Sequence, residues 1–355
     1  MTTWAECRAN NGLLEQSALV SAFISGRELS RLFYVEAVRP ILDAGFPGVR
    51  HSAALLGRGS EVLGFDDEMS TDHDWNPRVL LFLREDDHAR VGEAIGDALS
   101  HQLPPRFADQ PTDYAILTLR GYVLEHLDFD LDGEIEARDW LTFPEQRLRM
   151  LTAGAVYHDD VGLQAVRERL AYYPHDVWLY LLVAGWWRIH PEVNLVGRVG
   201  SVGDELGSAL MCAGLVHELM RLCFLMERQY APYSKWFGTA FSRLACADTV
   251  SPILSRAVGA ATSQDREDAL VAAYEAVAAM HNALHLTAPV ATEVLQMWDR
   301  PFKVLWGDFP GALAAQIQDP AVRRIAEQWP IGGPDQFRDL LWDPRHRRML
   351  LRMYQ

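Results

Sequence analysis

The chain has few means of covalent cross-linking or of membrane anchoring. Its four cysteines, Cys7, Cys212, Cys223 and Cys246, form no Cys-x-x-Cys pair. Three of them fall in apolar helical surroundings, where a thiol behaves as a small buried hydrophobe. That argues against a disulfide framework and against a thiolate metal or redox site. No segment reaches the roughly eighteen uncharged apolar residues of a membrane span, and Met1-Thr2-Thr3-Trp4-Ala5-Glu6 lacks both the basic and the apolar part of a signal peptide. The expectation is a reduced, soluble, cytoplasmic protein. Positive charge is short as well: 33 Lys and Arg against 48 Asp and Glu leave a formal net charge of -15. Affinity for long nucleic acids comes from many cations releasing counterions, so a nucleic-acid partner is disfavoured. A mononucleotide is not excluded, because Mg²⁺ and one or two cationic side chains can meet its few charges. Repeats, low-complexity tracts, a Walker loop and a Gly-x-Ser-x-Gly elbow are absent too, which disfavours a solenoid, a P-loop ATPase and a triad hydrolase.

What is present suits two domains, since 355 residues exceed one ordinary core. The first fifty residues read as helix: Ser25-Gly26-Arg27-Glu28 has capping-box form, and Leu29, Leu32, Phe33, Val35, Val38 and Leu42 follow at mostly helical spacing. Pro40 predicts a kink or a break, and Phe46-Pro47-Gly48 an end. Next come apolar strands over 52–56 and 79–83, a helix over 85–99, a loop at Pro104-Pro105, and a third strand over 114–119. Residues 121–127 either continue that strand or turn into a short helix. From Trp140 long helices take over, among them 162–172, 176–188, 204–228, 233–244 and 266–286. The helix from Asp204, with Leu206, Leu210, Leu215, Leu219, Leu222 and Met226, reads as central and buried, with acids in its first turn and Arg228 in its last. The fold class is therefore α+β. A small mixed-sheet domain over 1–145, with a helical segment over 1–48, precedes an all-α domain over 146–355, the boundary falling between Asp139 and Asp160. A closing basic cluster, Arg338, Arg345, His346, Arg347, Arg348 and Arg352, reads as one face of an amphipathic terminal helix.

The stretch with chemistry in it lies between the first two strands. Gly57-Arg58-Gly59-Ser60 makes a tight turn in which glycine lets backbone approach a phosphate and serine offers its hydroxyl and amide. Eleven residues separate Ser60 from Asp-x-Asp, which stands in Ser70-Thr71-Asp72-His73-Asp74-Trp75. Read as the head of a strand, it aims Asp72 and Asp74 to one face and His73 to the other. Adjacent carboxylates at about 4 Å repel by about 4 kcal/mol at a protein surface, so a pair implies a bound cation, a shared proton or strong hydrogen bonding. Mg²⁺ takes such oxygen ligands together with substrate phosphates.

This composite of apolar strand, Gly-Ser turn and Asp-x-Asp resembles the DNA polymerase beta-type nucleotidyltransferase superfamily. Beyond the core, Gly59-Ser60-Glu61-Val62-Leu63-Gly64-Phe65-Asp66, Trp140-Leu141 with Pro144-Glu145-Gln146, Asp176-Val177-Trp178-Leu179-Tyr180 and Tyr230-Ala231-Pro232-Tyr233-Ser234-Lys235-Trp236 look like an uncharacterised bacterial nucleotidyltransferase-like family, a domain of unknown function. The resemblance implies a catalytic α/β domain and a helical second domain, similar in plan to the aminoglycoside nucleotidyltransferases. It implies that Gly59 and Ser60 hold the triphosphate and that Asp72 and Asp74 bind two divalent ions, Mg²⁺ or Mn²⁺. Active members carry a third carboxylate on a neighbouring strand. Asp113 is the candidate here, unless it merely caps the strand; Glu125, Asp128 and Asp130 follow in a less regular segment, and Glu218 could supply a base from the helical domain.

Lysine is rare, and Lys235 follows Pro232-Tyr233-Ser234, which opens a helix. There it either meets the β or γ phosphate, with Tyr230 or Tyr233 nearby, or is a surface lysine beside packing aromatics. Arg58 and Arg78 flank the motif and either meet phosphates or pair with Asp66, Asp67 or Glu68. His217, and the i,i+4 pair His281 and His285, read as structural, with no third zinc ligand in view. The expected activity is transfer of a nucleoside monophosphate, AMP first, from ATP or another triphosphate to a hydroxyl of a small molecule. The alternatives are a catalytically degenerate nucleotide- or ligand-binding protein on the same fold and, disfavoured by charge, a toxin-like transferase acting on tRNA.

Overall fold

The structure, a computed structural model, describes residues 23–72, 75–328, 330–336 and 347–354. Helix α1 (Gly26–Phe33) is capped by Ser25, whose hydroxyl accepts the Glu28 N–H at 3.4 Å. A π turn over Tyr34–Val38 leads into α2 (Arg39–Gly45), which carries Pro40 in its first turn. The backbone stays in the right-handed helical region through Val38 and Arg39, so Pro40 follows a π turn within one helical run rather than a break.

Strand β1 (His51–Leu55) leads through the glycine turn into α3 (Ser60–Leu63) and a 3-10 turn over Glu68–Asp72. Strand β2 (Arg78–Leu83) follows, then α4 (Glu85–Gln102), a short ladder of β3 (Arg106–Phe107) with β4 (Gln110–Pro111), and β5 (Asp113–Thr118). Next come α5 (Leu119–Leu127), α6 (Ala137–Trp140), α7 (Glu145–Thr152) and β6 (Ala155–Asp159). The main sheet has the order β5-β2-β1-β6. In it β1 runs antiparallel to both neighbours and β2 parallel to β5, with α4 making the crossover that a parallel pair requires. Thr118 caps α5 by accepting the Gly121 N–H, so residues 121–127 are helical.

The sheet is covered on both faces. Val79, Leu81, Leu83 and Ala53 pack against Phe33, Val38, Leu42, Ile95 and Leu99. Leu80, Phe82 and Ala54 face the other way, into a core that continues without a break to Leu179, Leu219 and Leu270. A strand buried on both faces reads as one apolar run, which is how 79–83 reads.

The helical part comprises α8 (Leu163–Arg169), α9 (His175–Ile189), α10 (Leu195–Gly200), α11 (Glu205–Met226), α12 (Ser234–Phe241), α13 (Ala247–Gly259) and α14 (Ser263–Ala283). A hairpin of β7 (Val294–Gln296) and β8 (Lys303–Leu305) precedes α15 (Phe309–Ala314), α16 (Pro320–Gln328) and α17 (Arg347–Leu351). Three expectations need correcting. The α/β part does not stop at 145 and the remainder is not all helix, because β6 pairs with β1 and β7 with β8. Helix α11 has the length and apolar content of a membrane span, and Leu215, Leu219 and Leu222 are buried, but Leu206 and Leu210 remain 73% and 67% exposed. That helix also ends before Arg228, which takes φ 53° and lies over the rings of Trp178 and Tyr172. Of the closing basic cluster, Arg338, Arg345 and His346 lie outside the described residues; Arg347 pairs with Asp139, and Arg348 with Asp128 at 3.3 Å.

Candidate active site

The turn after β1 is built for glycine. Gly57 has φ 96° and Gly59 φ 124° with ψ 150°, a region closed to other residues. A Cβ on Gly59 would also stand 2.2 Å from the Glu61 carboxylate, which folds back under the turn. Glu61 is 1% exposed and pairs with Arg78 at 3.0 Å; Arg78 also donates to the Arg58 carbonyl at 2.7 Å. Arg78 therefore clamps the turn from the start of β2, and its partner is Glu61 rather than Asp66, Asp67 or Glu68. Arg27 holds the other end of α3, donating to the carbonyls of Glu61 (3.0 Å) and Val62 (2.5 Å). Gly59→Ala is expected to destabilise the fold by about 1–3 kcal/mol, read as a lower urea midpoint with an unchanged slope.

The Asp-x-Asp segment is not strand at its first carboxylate. Asp72 closes the 3-10 turn, and β2 begins only at Arg78. The cause is local: Asp67 accepts the Ser70 N–H at 3.0 Å and Thr71 donates to the Glu68 carbonyl at 2.8 Å, bonds that compete with a ladder. Strand alternation therefore does not set the direction of Asp72, whose side chain, with His73 and Asp74, lies outside the described residues. The segment is anchored just beyond by Trp75, 8% exposed, whose Nε1–H donates to Asp66 at 3.1 Å. Asp66 also accepts the Gly26 N–H at 2.6 Å, tying this loop to the start of α1.

Parallel pairing places the N-terminal ends of β2 and β5 at one sheet edge, with Asp113 opposite Arg78. The Asp113 N–H donates to the Pro77 carbonyl at 3.1 Å, and its side chain is exposed toward the cleft beyond that edge. Asp128 pairs with Arg348 and Asp130 with Arg120, and neither they nor Glu125 line the cleft. Glu218 is held by Arg188 at 2.8 Å; burial opposes its charge, but hydrogen bonds from His217 and Arg188 outweigh this and keep its carboxyl down to about 2. It is not among the described residues that line the cleft.

Lys235 comes from the far side. Tyr233 precedes the first turn of α12, and Lys235 Nζ lies 4.8 Å from the Trp236 ring. The loop before α12 is pinned by α7. Glu145 accepts the Ala231 N–H at 2.7 Å, Gln146 accepts the Tyr233 N–H at 2.9 Å, and Arg149 donates to the Tyr230 carbonyl at 2.5 Å. Trp236 in turn stacks on Phe65, just after α3, at 5.3 Å. The outcome is one cleft of about 320 Å³ lined by Arg58, Gly59, Ser60, Asp113, Lys235 and Trp236. Among the described residues neither Arg58 nor Lys235 forms an ion pair, and the buried Trp236 Nε1–H has no acceptor.

Glu145, Gln146, Glu61 and Arg27 are the residues that sequence reasoning left without a role. The only signal was that Glu145 and Gln146 stand in a stretch resembling the same family as the Lys235 stretch. Glu145 is buried, pairs with Arg221 at 3.1 Å, and donates its own N–H to Asp335 at 3.0 Å. Burial pushes its carboxyl up to about 7 despite Arg221, and pushes Asp335 up as well. Between roughly pH 4.5 and 7 the folded chain therefore keeps a proton that the unfolded chain has released, so stability falls as pH rises through that interval. Glu145→Gln is expected to flatten this slope, measured as urea midpoints at pH 5 and pH 8.

The remaining candidates are structural. His281 is buried between Trp186 and Phe309, burial pushing its imidazole down to about 4, and His217 stacks on Phe237 at 4.9 Å. Cys212 and Cys223 are buried free thiols. Among the described residues no three His, Cys, Asp or Glu side chains gather as a metal site.

Residues 140–237 match the family model of a domain of unknown function (DUF4037). That span holds the α7 anchor and the Lys235 loop. No curated protein matches the chain. Among solved structures, a nucleotidyltransferase-like protein from Exiguobacterium sibiricum 255-15 aligns over 73% of this chain and 78% of its own, at 12% identity and a TM-score of 0.32. At that score the likeness is loose, and the chemistry rests on the residues themselves.

Proposed function

We propose that the chain is a metal-dependent nucleotidyltransferase that moves a nucleoside monophosphate, AMP first, from a triphosphate to a hydroxyl of a small molecule. The observation that carries this reading is the convergence of the Gly59-Ser60 turn, Asp113 and Lys235, from three distant parts of the chain, on one cleft. Among the described residues lining the cleft the side-chain oxygens are those of Ser60, Glu61, Ser70, Asn76, Asp113 and Tyr233, with no thiol or imidazole. Such a set suits Mg²⁺ or Mn²⁺. Asp72 and Asp74 would hold the ion, with Asp113 as the third carboxylate. When bound, it would polarise the phosphoryl oxygens and lower the pKa of the acceptor hydroxyl.

The chain's own groups supply the rest. Gly59 admits a phosphate close to the backbone, and the Ser60 hydroxyl donates to it. Lys235 and Arg58 neutralise the outer phosphates, which helps pyrophosphate to leave as the new ester bond forms at the α-phosphorus. Asp113 would accept the acceptor's proton. Trp236 and Tyr233 form an aromatic wall on which a base or an acceptor ring can stack. A screen of triphosphates against small hydroxyl acceptors, read as pyrophosphate release, tests the proposal. Release that requires metal, triphosphate and acceptor together is expected. Saturable triphosphate binding with no release across the screen would instead favour a nucleotide-binding regulator on the same fold.

A further inference from the structure

A second polar groove, of about 350 Å³, is lined by Gln229 and Tyr230 of the loop whose Tyr233 lines the cleft, and shares no lining residue with the cleft. Three arginines line it, one from each of three elements: Arg149 on α7, Arg167 on α8 and Arg228 after α11. In a chain of net charge -15 this clustering is unusual, and so is the way the three are held. Arg167 donates to the carbonyls of Leu151 at 3.4 Å, Thr152 at 2.6 Å and Ala153 at 3.2 Å, closing the end of α7, and to the Gln164 side-chain oxygen at 2.8 Å. Arg149 donates to the Tyr230 carbonyl, and its buried Nε has no acceptor among the described residues. Arg228 lies flat over Trp178 and Tyr172, 4.7 and 5.1 Å from their ring centres. None of the three forms an ion pair among the described residues; carbonyl oxygens and ring faces orient them without a contacting carboxylate.

Burial works first against the charges of Arg149 and Arg167. Glu145 partly offsets this at Arg149, while the cation Arg27 adds repulsion at both. Cations crowded in this way are stabilised by an anion, and guanidinium groups favour the geometry of phosphate oxygens. Among the described residues lining the groove one is a carboxylate, Glu168, which is exposed and accepts from the Gln164 amide at 3.2 Å.

We propose that this groove is a second anion site, which takes the phosphate group of a phosphorylated small molecule independently of whatever the cleft binds. Its size suits one phosphate and its substituent, and the protein's overall negative charge opposes a long polyanion. Arg149, through its unpartnered Nε, is the fixed donor, and Arg167 adds its charge and one remaining N–H beside it. Arg228, exposed and seated on two rings, is the cation at the mouth.

Calorimetric titration of the full chain with inorganic pyrophosphate, without divalent metal, tests this in four forms: wild type, Arg228→Gln, Glu168→Gln and Lys235→Ala. Binding with a Kd of order 0.1–1 mM is expected for the wild type. Arg228→Gln should weaken it about tenfold, the loss of one charge-assisted contact. Glu168→Gln should tighten it about threefold by removing a nearby like charge, and Lys235→Ala should leave it within about twofold. The Glu168 variant keeps its side-chain shape and acts in the opposite direction, so a folding defect in the Arg228 variant would not imitate the full pattern. No binding up to about 10 mM would overturn the proposal. So would an affinity that follows Lys235 and ignores Arg228 and Glu168, which would place the anion in the cleft. A single-stranded RNA that binds where pyrophosphate does not would overturn it in favour of a nucleic-acid surface. Loss of triphosphate binding in Lys235→Ala with pyrophosphate binding retained would separate the two sites.

Discussion

Asp113→Asn is expected to lower the rate of the proposed metal-dependent pyrophosphate release by about 10²–10³-fold while leaving stability within about 0.5 kcal/mol of wild type. The side chain is exposed at the start of β5 and the structural bond there is its backbone N–H to Pro77, which asparagine keeps. What asparagine lacks is the negative charge, which the proposed reaction needs beside a divalent ion and to accept a proton. Steady-state pyrophosphate release with a thermal melt of the same preparation reads both quantities. A rate within threefold of wild type would show that Asp113 only begins the strand.

Glu145→Ala will destabilise the fold by about 3–5 kcal/mol, the usual consequence of removing one partner of a buried ion pair. Arg221 would lose its contact at 3.1 Å, and the Ala231 N–H would lose its acceptor. The same change should weaken triphosphate binding, because Glu145 and Gln146 pin the loop that delivers Lys235. Glu145→Gln, which retains an acceptor oxygen, should cost less, about 1–3 kcal/mol. Urea unfolding of both variants checks the order. A loss below 1 kcal/mol for Glu145→Ala would mean that other contacts hold the loop.

Several of these features are legible in the amino-acid sequence. The run 79–83 is readable because a strand buried on both faces needs no alternation. The glycine turn is readable because positive φ at Gly57 and Gly59 leaves no other choice, and the setting of Lys235 because Pro232-Tyr233-Ser234 has the chemistry of a helix start. The failures have physical causes. Asp72 looks like strand when the bonds that Asp67, Ser70 and Thr71 make with their neighbours are left out. Strand β6 escapes notice because it is a half-buried edge ending in His158 and Asp159, with little of the apolar pattern that marks β2. The pairing of Arg78 with Glu61, and the meeting of Glu145 with Ala231 and Asp335, depend on how distant segments pack, which no local spacing records.

Everything proposed for the cleft depends on its holding a metal-bound triphosphate between the Gly59-Ser60 turn and Lys235. Calorimetric titration of ATP into the full chain, with and without Mg²⁺, in the wild type and in the Asp72→Asn, Asp74→Asn double variant, decides the point. Mg²⁺ should tighten ATP binding at least about tenfold in the wild type, a difference of about 1.4 kcal/mol, and the double variant should lose this dependence. Equal affinity with and without the metal, in wild type and variant alike, would contradict it.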